Sequence, residues 1–263
     1  MFKIVEKKYL SPRVALLRVE APRIAKARRA GHFVIVRATA TSERIPLTIA
    51  QANVKEGTIT LVVQGVGSSS NQLIALQEGD CVHDIVGPLG QATHISKVGT
   101  VLCTGGGVGI APLLPIVEAF HAAGNRVITV LAGRTKELVI FQDEMKEASD
   151  EVIIMTDDGS LGEKGLITDG IKKVLEREHV DRCVTVGPAI MMKFVSQLTK
   201  EYNIPTIASL NAIMVDGTGM CGACRITVDG KMRFVCVDGP EFDAHKVNFD
   251  ELLMRLNAFK ATK

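Results

Sequence analysis

The feature that most constrains the fold is a change of rhythm near residue 98. From there to residue 208, short apolar runs alternate with helix-length patterns. The apolar runs fall at 101–103, 127–132, 152–155, 184–186 and 206–208, and the helical patterns at 111–123, 140–148, 166–177 and 190–202. Alternation of this kind folds into parallel strands with right-handed crossovers, here a five-stranded Rossmann-like α/β layer. Upstream the pattern differs. Residues 14–19, 33–36, 45–49, 58–63 and 81–85 are short β-rich runs, punctuated by Gly31, Gly57, Gly65 and Gly79. Strands so spaced predict a small antiparallel β-barrel. After residue 208 come a short cysteine-bearing region and a last helical pattern at 249–259. The expected domains are therefore 1–96, 97–208 and 209–263.

A chain of 263 residues, 46% hydrophobic and 23% charged, can bury cores of this size. Its 31 basic and 29 acidic side chains leave a net charge of +2 with no basic run, so nucleic acid is not an expected partner. Lys3, Glu6, Lys7 and Lys8 stand where a signal peptide needs its apolar stretch. No apolar run reaches the ~18 residues of a spanning helix, so no membrane partner is expected and the location reads as cytoplasmic.

The loop Cys103-Thr104-Gly105-Gly106-Gly107-Val108-Gly109-Ile110-Ala111-Pro112 follows the first apolar run of the alternating region and opens a helix. Glycines allow a tight turn and close approach to a pyrophosphate, whose charge the helix N-terminus meets. Pro112 suits a first helical turn, where its missing N–H has no partner. Gly105, Gly106, Gly107, Val108, Gly109, Ala111 and Pro112 are thus candidate nucleotide contacts. Gly133-Arg134, Asp157-Asp158 and Gly187-Pro188 follow later strands and extend the groove. Carboxylates at 157 and 158 would accept from ribose hydroxyls and repel a 2′-phosphate, which favours NAD(H). A solvated acidic turn is the plain alternative.

In the β-rich part, Arg44-Ile45-Pro46-Leu47-Thr48-Ile49 combines a phosphate-binding guanidinium, a proline that removes a backbone donor and a short hydroxyl. Gly67, Ser68 and Ser69 lie in a loop suited to an anion. Val62 and Val63, in the strand before that loop, complete this candidate set. Taken singly, these segments are equally a surface arginine and a serine-rich turn.

There are six cysteines. Cys81, Cys103 and Cys183 stand alone among apolar residues and read as buried small hydrophobes. Cys221, Cys224 and Cys236 are spaced C-x2-C-x11-C, a pattern open to an iron–sulfur cluster or a tetrahedral zinc site.

A barrel carrying Arg-x-Pro-x-Thr, followed by Gly-Gly-Gly-Val-Gly-Ile-Ala-Pro and a Gly-Pro turn, resembles the ferredoxin–NADP⁺ reductase superfamily. The resemblance implies FAD at the arginine and hydroxyl segment and a pyridine nucleotide at the glycine-rich loop. That family usually has Cys-Gly-Pro where Val186-Gly187-Pro188 stands here, so no residue is assigned a catalytic proton-donor role. The C-terminal cysteines resemble the [2Fe–2S] module of the dihydroorotate dehydrogenase electron-transfer subunit, spaced C-x4-C-x2-C-x11-or-more-C. Asp216 stands at the first ligand position. In this the chain is similar to the small subunits of electron-bifurcating NADH-dependent ferredoxin:NADP⁺ oxidoreductase, where an aspartate completes the cluster. The resemblance implies Asp216, Cys221, Cys224 and Cys236 as ligands, and a larger flavoprotein/iron–sulfur subunit as heterodimer partner that connects to ferredoxin. A dihydroorotate dehydrogenase electron-transfer subunit, or a sulfide dehydrogenase/polysulfide reductase subunit, is the alternative.

Overall fold

The computed structural model describes residues 1–258. Phe259 and the last residues of the 209–263 segment lie outside the described residues. Two large sheets and one hairpin make up the chain.

The first sheet holds β1 (Phe2–Ser11), β2 (Val14–Glu20), β3 (Phe33–Arg37), β4 (Ile45–Asn53), β5 (Thr58–Gln64), β6 (Cys81–Val82) and β7 (Asp84–Leu89). Helices α1 (Pro22–Ala27) and α2 (Ser68–Ala75) flank it. The order is β6-β1-β2-β5-β4-β3-β7, every pairing antiparallel. Only His83 separates β6 from β7, yet these are the two edge strands, so the sheet curls back on itself. Strand alternation explains the curl's interior: Leu17 faces Leu61 and Val19 faces Ile59 across the β2–β5 ladder, all fully buried. Burial of each such side chain contributes about 1.5–3 kcal/mol. The outward Arg18 instead pairs with Glu6 and Glu56.

The second sheet collects β8 (Thr100–Gly106), β9 (Arg126–Gly133), β10 (Glu151–Thr156), β11 (Glu163–Lys164), β12 (Arg182–Val186) and β13 (Thr206–Ser209), all parallel. Helices α3 (Ile110–Ala122), α4 (Gln142–Ala148), α5 (Ile167–Leu175) and α6 (Ala189–Glu201) form the crossovers. The order is β11-β10-β9-β8-β12-β13-β16, in which β16 (Glu241–Asp243) is antiparallel to β13. The five expected strands are present, extended by the short, charged β11 and by β16 from the C-terminal region.

The remaining elements are β14 (Arg225–Val228), β15 (Lys231–Phe234), α7 (Val235–Asp238) and α8 (Phe249–Asn257). Asp229 and Gly230, at φ 53° and 70°, make the left-handed two-residue turn between β14 and β15.

Helix α3 is apolar around much of its circumference because it packs on two sides. Ile110, Leu113, Leu114, Val117 and Phe120 share one core with Val14, Ala50 and Val62 of the first sheet and with Val101, Val127 and Val184 of the second. A separate core joins Phe33 and Ile35 of β3 to Ala189 and Met192 of α6 and to Met214, Cys224, Ile226 and Cys236. The cysteine-bearing region is thus wedged between both sheets. Cys103 and Cys183 are buried in the second sheet as expected, whereas Cys81 is exposed on edge strand β6. Among the described residues no helix is long and apolar enough to cross a membrane.

Candidate functional site

The glycine-rich loop lies where β8 runs into α3. Gly107–Gly109 forms a single 3-10 turn, and α3 begins at Ile110. A β-carbon at Gly109 would lie 2.6 Å from Gly187 Cα and 2.7 Å from Val186 O, so only glycine lets these two turns touch. Gly107, at φ +55°, would meet nothing within 4 Å, which leaves its face of the loop open. Ala111 and Pro112 occupy the first turn of α3 behind it, and Val108 is half-buried. Gly105 and Gly106 end β8 beside Val186 and Gly187, and Pro188 caps α6.

The neighbouring strand ends are bonded together. Asp157 N–H donates to Gly133 O at 3.1 Å, and Asp158 N–H to Arg134 O at 3.3 Å. The two acids differ. The Asp158 carboxylate accepts from Ser160 Oγ at 2.6 Å and Ser160 N at 2.9 Å, and the Ser160 hydroxyl holds it below the usual carboxylate range. Ser160 Oγ also accepts from Lys136 N at 2.8 Å, clipping one loop to the next. The Asp158 carboxylate is therefore committed to its own loop, whereas the Asp157 side chain is exposed.

On the first sheet, Pro46 and Thr48 of β4 lie opposite Ile35 and Phe33 of β3. Arg44, just before β4, is exposed, while Pro46, Leu47 and Thr48 are half-buried. Glu43 N–H donates to Ser69 Oγ at 3.1 Å, which draws the Gly67–Ser69 turn against the Arg44 segment. Gly67, the residue before α2, would meet nothing within 4 Å, so this side of the turn is open too. Ile49 and Val63 lie in the barrel core and Val62 packs toward α3. The side chains of these three are buried, and the backbone of Ile49 is already bonded, its N–H donating to His32 O at 3.1 Å and its O accepting from Arg28 Nη2 at 3.2 Å.

The four candidate cluster ligands fall into two pairs. Cys224 and Cys236 are buried with sulfurs 3.3 Å apart, close to the ~3.8 Å edge implied by thiolates about 2.3 Å from one tetrahedral metal. Burial and the neighbouring Cys224 sulfur push the Cys236 thiol up, a penalty on the bare thiolate that the charge of a bound metal would offset. Asp216, half-buried, and Cys221, exposed, form the other pair. The Asp216 carboxylate accepts from Thr218 N at 2.8 Å and Cys221 N at 2.7 Å. The Thr218 amide first, then that of Cys221, holds it below the usual carboxylate range, so it is an anion as a ligand must be. Among the described residues no three His, Cys, Asp or Glu side chains converge on one point. Two pairs suit two irons with two ligands each better than a single tetrahedral zinc. The loop closes tightly because Gly217, Gly219 and Gly222 take φ of +74°, +85° and +64°.

Two residues to which the sequence assigns no site role join these parts. Met191, in the first turn of α6, packs its sulfur where Gly106 and Gly187 meet: a β-carbon at Gly106 would be 2.3 Å from Met191 Sδ. Ile35 faces Pro46 on one side and abuts Gly217 of the ligand loop on the other. Nothing in a single apolar strand marks such double duty. Ser160 belongs to the polar loop 156–160 that the sequence already places at a strand end, and its Asp-x-Ser spacing is the signal for the turn it makes.

A curled flavin-type barrel, a parallel nucleotide layer and a paired cysteine loop define a pyridine-nucleotide oxidoreductase of the ferredoxin-reductase fold with an iron–sulfur module. Family profiles agree: residues 211–248 match the iron–sulfur cluster binding domain of dihydroorotate dehydrogenase B, and residues 104–197 match an oxidoreductase NAD-binding domain. The chain is 48% identical over 98% of its length, and 91% of the relative's, to a Thermotoga maritima homolog of the dihydroorotate dehydrogenase B (NAD(+)) electron transfer subunit. A probable subunit of the same name from Methanocaldococcus jannaschii is 41% identical over 71% of each chain. Among solved structures, that of the NADH-dependent reduced ferredoxin-NADP oxidoreductase, described for flavin-based electron bifurcation, matches with TM-score 0.95 and 46% identity over 99% of this chain and 94% of that one. This chain belongs to the dihydroorotate dehydrogenase B electron-transfer subunit family.

Proposed function

We propose that the chain is the electron-transfer subunit of a bifurcating oxidoreductase, moving electrons between NAD(H), FAD and a [2Fe–2S] cluster. Residues 1–96 are assigned to FAD, 97–208 to NAD(H) and 209–263 to the cluster module. In this reading Arg44, Gly67, Ser68 and Ser69 hold the flavin phosphates, and Pro46 and Thr48 border its ring. Gly105, Gly106, Gly107 and Gly109, at the N-terminus of α3, hold the nucleotide pyrophosphate. Gly187, Pro188 and Met191 wall the inner end of that groove, while Arg134 and Asp157 lie at its outer end. Bound, the flavin converts two-electron hydride traffic into single electrons for the cluster.

The observation that carries the bifurcating reading is Asp216, which stands at the first ligand position of the C-x4-C-x2-C pattern and is folded onto the Cys221 amide. A carboxylate ligand matches the resemblance to ferredoxin:NADP⁺ oxidoreductase, and the 46% identity to that structure supports it. The partner is then a larger flavoprotein/iron–sulfur subunit that oxidises NADPH and reduces ferredoxin, in the cytoplasm. The second reading, electron transfer from dihydroorotate to NAD⁺, is favoured by the names of the curated relatives. Co-purification from the native cell separates them. A partner bearing its own flavin and [4Fe–4S] clusters is expected; a dihydroorotate-oxidising partner contradicts the proposal.

A further inference from the structure

Two arginines grip the peptide groups between Cys221 and Cys224. Arg225 Nη1 donates to Gly222 O at 3.1 Å, and Arg255 Nη2, reaching across from α8, donates to Ala223 O at 3.0 Å. Each carbonyl shares a peptide unit with the next residue's N–H. The unit whose oxygen Arg225 holds ends in the Ala223 N–H, which donates to Cys221 Sγ at 3.5 Å. The unit whose oxygen Arg255 holds ends in the N–H of the ligand Cys224 itself. Hydrogen bonds in series polarise one another, so a cation on the carbonyl makes the N–H a stronger donor.

Neither guanidinium is spent on an ion pair: among the described residues no carboxylate lies within salt-bridge distance of Arg225 or Arg255. Arg18, Arg126 and Arg177, by contrast, are all paired. Arg255 is half-buried on the wall of an apolar groove of about 320 Å³ formed with Ala212, Ile213, Leu252 and Leu256. Water screens it less than it screens the exposed Arg225.

We propose that Arg255, with Arg225 as the weaker member, raises the reduction potential of the cluster through the Gly222–Cys224 peptides. This rests on the assignment of Cys221, Cys224, Cys236 and Asp216 as its ligands. Reduction adds one electron and breaks no bond, so the reduced state carries one more negative charge. Nearby cations and N–H donors to sulfur favour that state, and both terms set iron–sulfur potentials. Neither arginine touches a ligand atom; both are positioning residues.

The test is an anaerobic dithionite titration of the full holoprotein, followed by the electron paramagnetic resonance of the reduced cluster. Arg255→Gln keeps a donor but removes the charge. It is expected to lower the one-electron reduction equilibrium about tenfold, a shift of ~59 mV to more negative potential. Arg255→Lys should restore most of the wild-type value. An unchanged potential in Arg255→Gln, with only cluster content or melting temperature reduced, overturns the proposal. If Arg255→Gln retains no cluster, Arg225→Gln decides: a smaller negative shift that salt abolishes supports the proposal, and no shift at low salt contradicts it. A wild-type protein with no [2Fe–2S] signal would instead refute the ligand assignment beneath it.

Discussion

Gly217 is seated directly on Ile35: a β-carbon at Gly217 would lie 2.8 Å from Ile35 Cγ1. Ile35 in turn faces Pro46 across the β3–β4 ladder. The Gly217 loop and the Pro46 segment are therefore separated by one strand, and under the proposed reading that contact sets the spacing of cluster and flavin.

Gly217→Ala pushes on this seat. Its φ of +74° costs an L-residue about 1–2 kcal/mol, and the added carbon also meets Leu89 Cδ1 at 2.7 Å. The expected result is a several-fold slower electron transfer between flavin and cluster, read by anaerobic stopped-flow absorbance. A wild-type rate in a fully loaded variant would show that this contact does not set the spacing.

At the nucleotide edge, Gly109→Ala forces a methyl against the Gly187 and Val186 backbone at under 3 Å. Backbone cannot rotate away as a side chain can, so the two turns must separate. NADH affinity should fall at least about tenfold, about 1.4 kcal/mol, while FAD content stays at the wild-type level. Calorimetric titration with NADH checks this, and unchanged affinity argues against the loop as the pyrophosphate site.

Asp216→Cys exchanges a hard oxygen ligand for a thiolate at a position whose carboxylate already lies against the Cys221 amide. The cluster should be retained with a shifted reduction potential, since ligand type and charge both enter it. A redox titration superimposable on wild type would remove Asp216 from the ligand set.

Glu241 of β16 accepts from Thr93 Oγ1 at 2.5 Å where the three parts of the chain meet. Burial raises its carboxyl above the usual range, against the opposing pull of the Thr93 hydrogen bond. A raised acid holds its proton more tightly folded than unfolded. Its contribution is therefore present below the unfolded value of about 4.3 and is lost as pH rises through the higher folded value. Glu241→Gln should melt above wild type at about pH 8, with the advantage shrinking toward about pH 4. A difference that does not vary with pH would place the cause elsewhere.

Much of this was legible in the sequence, for physical reasons. The strand–helix alternation after residue 98 exposes the parallel layer because each element must bury an apolar face. Gly109 and Gly187 stood out because glycine marks backbone contact. Strand β1 escaped notice because, of its ten residues, only Ile4 and Ser11 are buried and Lys3, Glu6, Lys7 and Lys8 break the alternation. The run at 81–85 read as one strand, yet it divides at His83 because its halves pair with opposite edges, β6 with β1 and β7 with β3. Tertiary partners of this sort, like Met191 at Gly106 or Arg255 at Ala223, leave no local pattern to read.

The most direct test uses the complex isolated with its partner subunit, kept anaerobic and supplied with NADPH and ferredoxin. Ferredoxin reduction should proceed only when NAD⁺ is also present, because this subunit supplies the second electron path. Ferredoxin reduction that runs equally well without NAD⁺, or NAD⁺ reduction driven by dihydroorotate, would contradict the account.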